Sequence, residues 1–107
     1  MMKEYDFHQL LNHPQIVEQK IDELLAKEIL FKQKPDRGEI QGHMLKAQHN
    51  LRFVAANVKL QFYDWAIVGC YYACYHAALA LILTAGYSSK NHLATLCILI
   101  HDFYQKD

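Results

Sequence analysis

From Trp65 to Ser89 the chain runs 25 residues without a single Asp, Glu, Lys or Arg. A run of that kind has two ordinary fates, a membrane span or the buried centre of a helical domain. A span needs about 20 predominantly apolar residues, so length alone permits the first. The composition argues for the second. Tyr71, Tyr72, Tyr75 and His76 crowd the middle of the run, whereas Tyr and Trp in a span gather at the two interfaces and an intramembrane His is costly. No Lys/Arg cluster flanks the run to orient it. A helix that is apolar all round also suits the centre of a globular bundle. There, tyrosine hydroxyls and an imidazole meet partners on neighbouring helices or across a subunit interface. The expectation is a soluble central helix over about 64–85.

The flanking sequence supplies the rest of a bundle. Asn12-His13-Pro14-Gln15 reads as a helix entry, with Asn12 as cap and Pro14 in the first turn. From Gln15 to about Lys32, Val17, Ile21, Leu24, Leu25 and Leu30 form one apolar stripe, with the charged residues mostly off it. Asp36 and Glu39 form a capping-box variant that opens a helix from about Arg37 to Leu60. Met44, Ala47, Leu51, Val54 and Val58 recur at intervals of three and four along it, the spacing of a bundle seam. Asp64 caps the charge-free helix and Gly86 ends it. Ser88 or Ser89 caps a last helix from about Asn91 to Tyr104, with Leu93, Leu96, Cys97, Ile100 and Phe103 as its stripe. No strand-period alternation of any length is present. The fold class expected is all-α, an up-and-down bundle of about four helices forming a single domain over 1–107.

Composition excludes several function classes. With 11 basic and 11 acidic residues the formal net charge is zero, so the chain lacks the basic excess of a dedicated nucleic-acid binder. Any RNA contact needs a local patch or a dimer groove. Cys70, Cys74 and Cys97 leave one thiol over in any disulfide scheme and read as small reduced core residues of a cytosolic protein. No ligand spacing such as CxxC or HExxH is present, so neither a metal nor another cofactor is expected. The opening "MMKEYDFHQLL" has no apolar h-region and is not expected to act as a signal peptide. The charge-free helix is rich in small residues (Ala66, Gly69, Cys70, Ala73, Ala77, Ala78, Ala80). It has more apolar surface than three neighbours cover, which points to a homodimer.

Lys46 to Leu96 resembles the HEPN family (higher eukaryotes and prokaryotes nucleotide-binding). "KAQHNLRFVAANV" is similar to that family's Lys-Ala-x-x-x-Leu-x-x-Ala helix, and "YDWAIVGCYYACYHAALALIL" to its Tyr-x-x-Ala helix. Within the latter, Tyr71 to Ala78 resembles the Tyr-Tyr-Ala-x-x-His-Ala-Ala string of one subgroup. "SSKNHLATL" falls where the family has a Lys/Ser/Thr-His motif, with His92 as its His. The motifs cover about half the chain, and their order is more specific than any one of them.

The resemblance implies an all-α bundle, a homodimer, a cytoplasmic location in a prokaryote, and partnership with a minimal nucleotidyltransferase in a toxin–antitoxin pair. It does not imply a membrane. Many members are metal-independent ribonucleases that carry Arg, four to six residues, then His, late in the chain. In that chemistry the His moves a proton at the ribose 2′-hydroxyl and the Arg stabilises charge on the phosphate. No Arg follows His92; the arginines are Arg37 and Arg52. The family's further helix, which holds that motif, has no counterpart before Asp107. The reading favoured is therefore a dimeric module that binds a nucleotide or a nucleotidyltransferase without catalysis of its own, the alternative being a ribonuclease with its site at the dimer cleft.

Lys90, His92 and His76 are the candidate nucleotide-binding residues, and His92 is the candidate catalytic one. His92 opens a helix beside a cation, where backbone amides and Lys90 can hold a phosphate; helix capping accounts for the same residues. His76 and the nearby tyrosines suit core or interface packing as well as a base. Arg37 and His43 satisfy the Arg-His spacing by count, but in an earlier helix, and read as a solvated face.

Overall fold

The computed structural model describes residues 4–106, with side chains from Phe7 onward. Among them are five α-helices, a π-helical turn and two short strands: α1 (Glu4–Asn12), α2 (Pro14–Ala26), β1 (Leu30–Lys32), α3 (Arg37–Lys59), α4 (Tyr63–Thr84), β2 (Tyr87–Ser89), α5 (His92–Leu99) and the π-turn (Ile100–Tyr104). The chain is all-α, as expected. It divides into two compact units, residues 36–81 on the one hand and the segments 4–35 and 82–106 on the other.

The unit built from both ends of the chain has a conventional apolar core. Val17, Ile21 and Leu24 are the buried stripe of α2, joined by Leu10, Leu30, Ile82, Leu83, Ala94, Cys97, Ile98 and Ile100. α2 starts at Pro14, with His13 rather than Asn12 at the cap position and no side-chain cap bond. It also stops earlier than its periodicity suggests. Glu28 takes a left-handed backbone (φ 57), and the amides of Glu28 and Ile29 return to the carbonyls of Leu25 and Leu24. That is a Schellman end, usually made by glycine. The chain released at Ile29 forms β1, antiparallel to β2 with Leu30 opposite Ser89 and Lys32 opposite Tyr87. Gln33 N–H to the Gly86 carbonyl and Lys90 N–H to the Ile29 carbonyl extend the ladder at its two ends. Strands of three residues are too short to show alternation, so the sequence carried no sign of them.

Asn91 caps α5, its side-chain oxygen accepting from Ala94 N–H at 2.8 Å. Ser88 and Ser89, the caps expected from the sequence, lie in β2 instead, and Ser89 Oγ hydrogen-bonds the Thr95 hydroxyl. After Leu99 the helix widens into the π-turn, closed by Gln105 N–H to the Ile100 carbonyl. The Gln105 side-chain amide then donates to the carbonyls of Leu10 and Leu11, fastening the end of this segment to α1.

The other unit is a helical hairpin. Asp36 caps α3 by accepting from Glu39 N–H at 3.1 Å, as the sequence indicated. α3 ends in a second glycine-free Schellman turn, with Gln61 at φ 66 and the amides of Gln61 and Phe62 on the carbonyls of Val58 and Asn57. α4 runs over almost the residues expected and gives way to Gly86 at φ 90. Its buried residues in this unit are Ala66, Gly69, Ala73 and Ala80, all on one narrow face. A Cβ on Gly69 would lie 2.8 Å from Val54 Cγ2 and 2.9 Å from Phe53 Cδ2, so the closest approach of α3 to α4 depends on glycine there.

The seam differs from the one expected. On α3 the half-buried or buried residues are Ile40, Gly42, His43, Ala47, Asn50, Val54 and Asn57, whereas Met44, Leu51 and Val58 are exposed. On α4, Tyr63, Trp65, Ile67, Val68, Tyr71, Tyr72 and Leu81 are exposed, as are Cys70 and Cys74. Of the three thiols expected in the core, only Cys97 is there. Among the described residues α4 alone is long and apolar enough to cross a membrane, and only 33% of its most apolar window is buried within the chain.

The two central glycines of the hairpin should respond oppositely to alanine. Gly69→Ala should destabilise by about 1–3 kcal/mol through overpacking. Gly42, with nothing within 4 Å of an added Cβ, should gain roughly 0.5–1 kcal/mol from the helix preference of Ala. Urea denaturation of both variants tests the pair.

Candidate functional site

Lys90 and His92 flank the cap of α5. Strand β2 delivers the chain to this corner, and the Lys90 amide is fixed to the Ile29 carbonyl at 2.8 Å. The Lys90 side chain is exposed, with Nζ 5.0 Å from the centre of the Phe31 ring. That is cation–π range, and the ring comes from the facing strand. Asn91 extends into the cap, and His92 is the exposed first residue of α5. The corner therefore presents a cation, an imidazole and a helix start to solvent. One of the first-turn amides, that of Ala94, is already bonded to Asn91.

His76 is not part of that corner. It belongs to the hairpin unit, where its Nδ1 lies 3.0 Å from Nδ1 of His43. The ring centroids are 5.2 Å apart and the planes 27° from parallel, so with the nitrogens at 3.0 Å the rings meet edge to edge along the hydrogen bond. Tyr75 tilts against His76 at 6.1 Å, and Tyr71 stacks near-parallel to Tyr75 at 6.4 Å. Burial pushes the pKa of both histidines down. Lys46 lowers both further, His43 also lowers that of His76, and Glu39 partly offsets this at His43. The pair is thus biased toward two neutral rings sharing one hydrogen bond. Sequence spacing linked His43 with Arg37; the fold links it with His76, 33 residues on. The usable signal was the hairpin itself, since the two residues stand at similar distances from the Leu60–Phe62 turn.

A third grouping escaped the sequence reading. Pro14, Glu18, His101, Asp102, Gln105 and Lys106 line a shallow open cleft. His101 Nδ1 meets Asp102 Oδ1 at 2.6 Å, and its Nε2 lies 3.7 Å from Glu18 Oε1. Neighbours in the sequence, His101 and Asp102 are brought face to face where the helix widens at the π-turn. Among the described residues no three or more His, Cys, Asp or Glu side chains are grouped to hold a metal ion.

The chain matches no protein-family model, no curated protein and no solved structure. The family reading accordingly rests on the residues quoted above.

The histidine pair sets a pH dependence. Because both folded-state values lie below the ordinary 6.5, the unfolded chain takes up protons first as pH falls. Stability should be full above about 6.5, the ordinary imidazole value, and be lost as pH drops through the folded values. Denaturant titrations at pH 7.5 and 5.5 with EDTA present should show a smaller loss in His43→Gln than in the parent chain.

Proposed function

We propose that the chain is a HEPN-like helical module that dimerises and binds a nucleotide or a minimal nucleotidyltransferase partner, in a cytoplasmic toxin–antitoxin-type system and without catalysis of its own. The observation that carries this reading is the uncovered charge-free surface of α4, on the same helix as the Tyr71–Ala78 string. Phe62, Tyr63, Trp65, Tyr71 and Tyr72 are each 47–58% exposed. An aromatic side chain buries about 150–250 Å² when enclosed, so these five leave on the order of 500 Å² open. Ile67, Leu51 and Val58 add to it. That open area is spread round the helix, with Trp65 and Tyr72 on the opposite side from Tyr63 and Ile67 at 3.6 residues per turn. Tyr63, Ile67, Cys70, Cys74 and Leu81 recur at three, four or seven along α4, a spacing that suits a facing helix.

The nucleotide is assigned to the Lys90–His92 corner. An exposed Lys and the first residue of α5 offer a phosphate a cation and backbone amides.

Two assays on one preparation separate the readings. Titration with ATP or AMP should shift the amide resonances of Lys90 and His92, and Lys90→Ala should weaken binding at least threefold. Mixed RNA incubated with EDTA should stay intact. Cleavage leaving 2′,3′-cyclic ends, lost in His92→Ala, would replace the binding module with a metal-independent ribonuclease.

A further inference from the structure

One side of the hairpin is apolar along both of its helices. The helices run antiparallel, since His43 meets His76 while Val54, further along α3, lies against Gly69, earlier on α4. In an antiparallel pair, residues displaced to the same rotational side of each buried seam share one face of the hairpin. At about 100° per residue, Met44, Leu51 and Val58 fall to one side of the seam on α3. Tyr63, Ile67, Cys70, Cys74, Ala77 and Leu81 fall to the same side on α4. All but the half-buried Ala77 are exposed, and all belong to one compact unit. None of them is charged, whereas Lys46 lies on the other side of the seam.

A second copy of the chain is the occupant that this face suits. An isologous two-fold contact sets a patch against itself, so a charged patch would meet its own like charges, and this one carries none. The stripe on α4 is also symmetric about the level of Tyr72. When two α4 helices pack antiparallel about that level, residues equidistant from it face one another: Tyr63 meets Leu81, Ile67 meets Ala77, and Cys70 meets Cys74 of the second copy. The small side chains stand in the middle, where two helices come closest. Within one helix the two thiols cannot join. Cβ atoms one turn apart are separated by about 5–6 Å, and a disulfide needs about 3.5–4.5 Å. Between two copies that limit is lifted.

We propose that α4 pairs with α4 of a second copy in this antiparallel register, and that a low-molecular-weight disulfide such as oxidised glutathione locks the dimer through two Cys70–Cys74 bonds. This rests on the dimer reading above and adds to it the face, the register and a covalent lock under redox control. Each bond forms by two exchange steps. The Cys70 thiolate attacks the small disulfide and expels one small thiolate. The Cys74 thiolate of the second copy then attacks the mixed disulfide at Cys70 Sγ and expels the other. The two protons given up by the cysteines end on the two small thiols, so the small disulfide is reduced as the protein pair is oxidised. Both thiols are exposed to such a reagent. Cys97 takes no part, since it is fully buried and burial pushes its thiol up to about 11.

The test uses the untagged full chain beside Cys70→Ser and Cys74→Ser, with circular dichroism to check that each keeps its helicity. Each variant alone, and the two mixed under reducing conditions, is moved into oxidised glutathione at pH 8, quenched with N-ethylmaleimide and run on a non-reducing gel. Only the mixture places one thiol opposite another in this register, so it should give at least fivefold more disulfide-linked dimer than either variant alone. Digestion of the oxidised parent dimer should yield Cys70 joined to Cys74. Sedimentation of the reduced parent reads the dimer independently of any disulfide. A reduced parent that is dimeric, with variants that link no better mixed than alone, would overturn the register and leave the dimer reading standing. A Cys70–Cys74 bond found only in chains that run as monomers would also overturn it. A reduced parent that sediments as a monomer would overturn both readings together.

Discussion

A helix with no charged residue along most of its length has no side that prefers water, and α4 gives the rest of the structure this problem to solve. The chain covers it on one narrow face, where Ala66, Gly69, Ala73 and Ala80 are buried. Gly69 sets the closeness of that contact, since Val54 and Phe53 already occupy the space of a Cβ. Close approach on small residues buries little area, however, and the larger side chains of α4 radiate outward. The end of α4 is handled differently, for Ile82 and Leu83 enter the apolar core of the terminal unit. The remainder of its apolar surface is exposed.

That arrangement gives meaning to the seam on α3. Its half-buried stripe contains His43, Asn50 and Asn57, all polar, while Met44, Leu51 and Val58 face outward. Asn50 and Asn57 return their side-chain amides to the carbonyls of Lys46 and Phe53 on their own helix, so they satisfy themselves rather than bridging. His43 bonds across to α4. The hairpin therefore packs through small buried residues about the Gly69 contact together with the histidine pair, and many of its larger apolar side chains stay exposed. A hydrogen bond between partly exposed neutral groups contributes only about 1 kcal/mol, so the histidine pair by itself adds little to the hairpin's stability.

The helices were legible because their start signals are local. Asp36 with Glu39, Pro14 and Gly86 each mark a boundary within a few residues of the observed one. Two helix ends were harder, because Glu28 and Gln61 adopt left-handed backbone where glycine is the usual marker. Missing the first of these hid β1, which follows directly from the early end of α2. The α3 seam was misread for a different reason: heptad spacing identifies an apolar stripe but not the surface that covers it. For the site, the Lys90–His92 corner follows from linear proximity and was found as one unit. The His43–His76 pair needs the hairpin, and the His101–Asp102 contact needs the widened π-turn, so neither could be read along the chain.

We infer that a second copy of the chain meets the exposed surface of α4. Sedimentation equilibrium of the purified protein in detergent-free buffer, beside Ile67→Glu, tests it most directly. The parent species should have about twice the 12.5 kDa chain mass, with Ile67→Glu monomeric and still helical, because a charge within the interface is costly to bury. A parent chain that sediments as a helical monomer would contradict it, as would one that stays soluble only in detergent micelles; the second result would return α4 to a lipid environment.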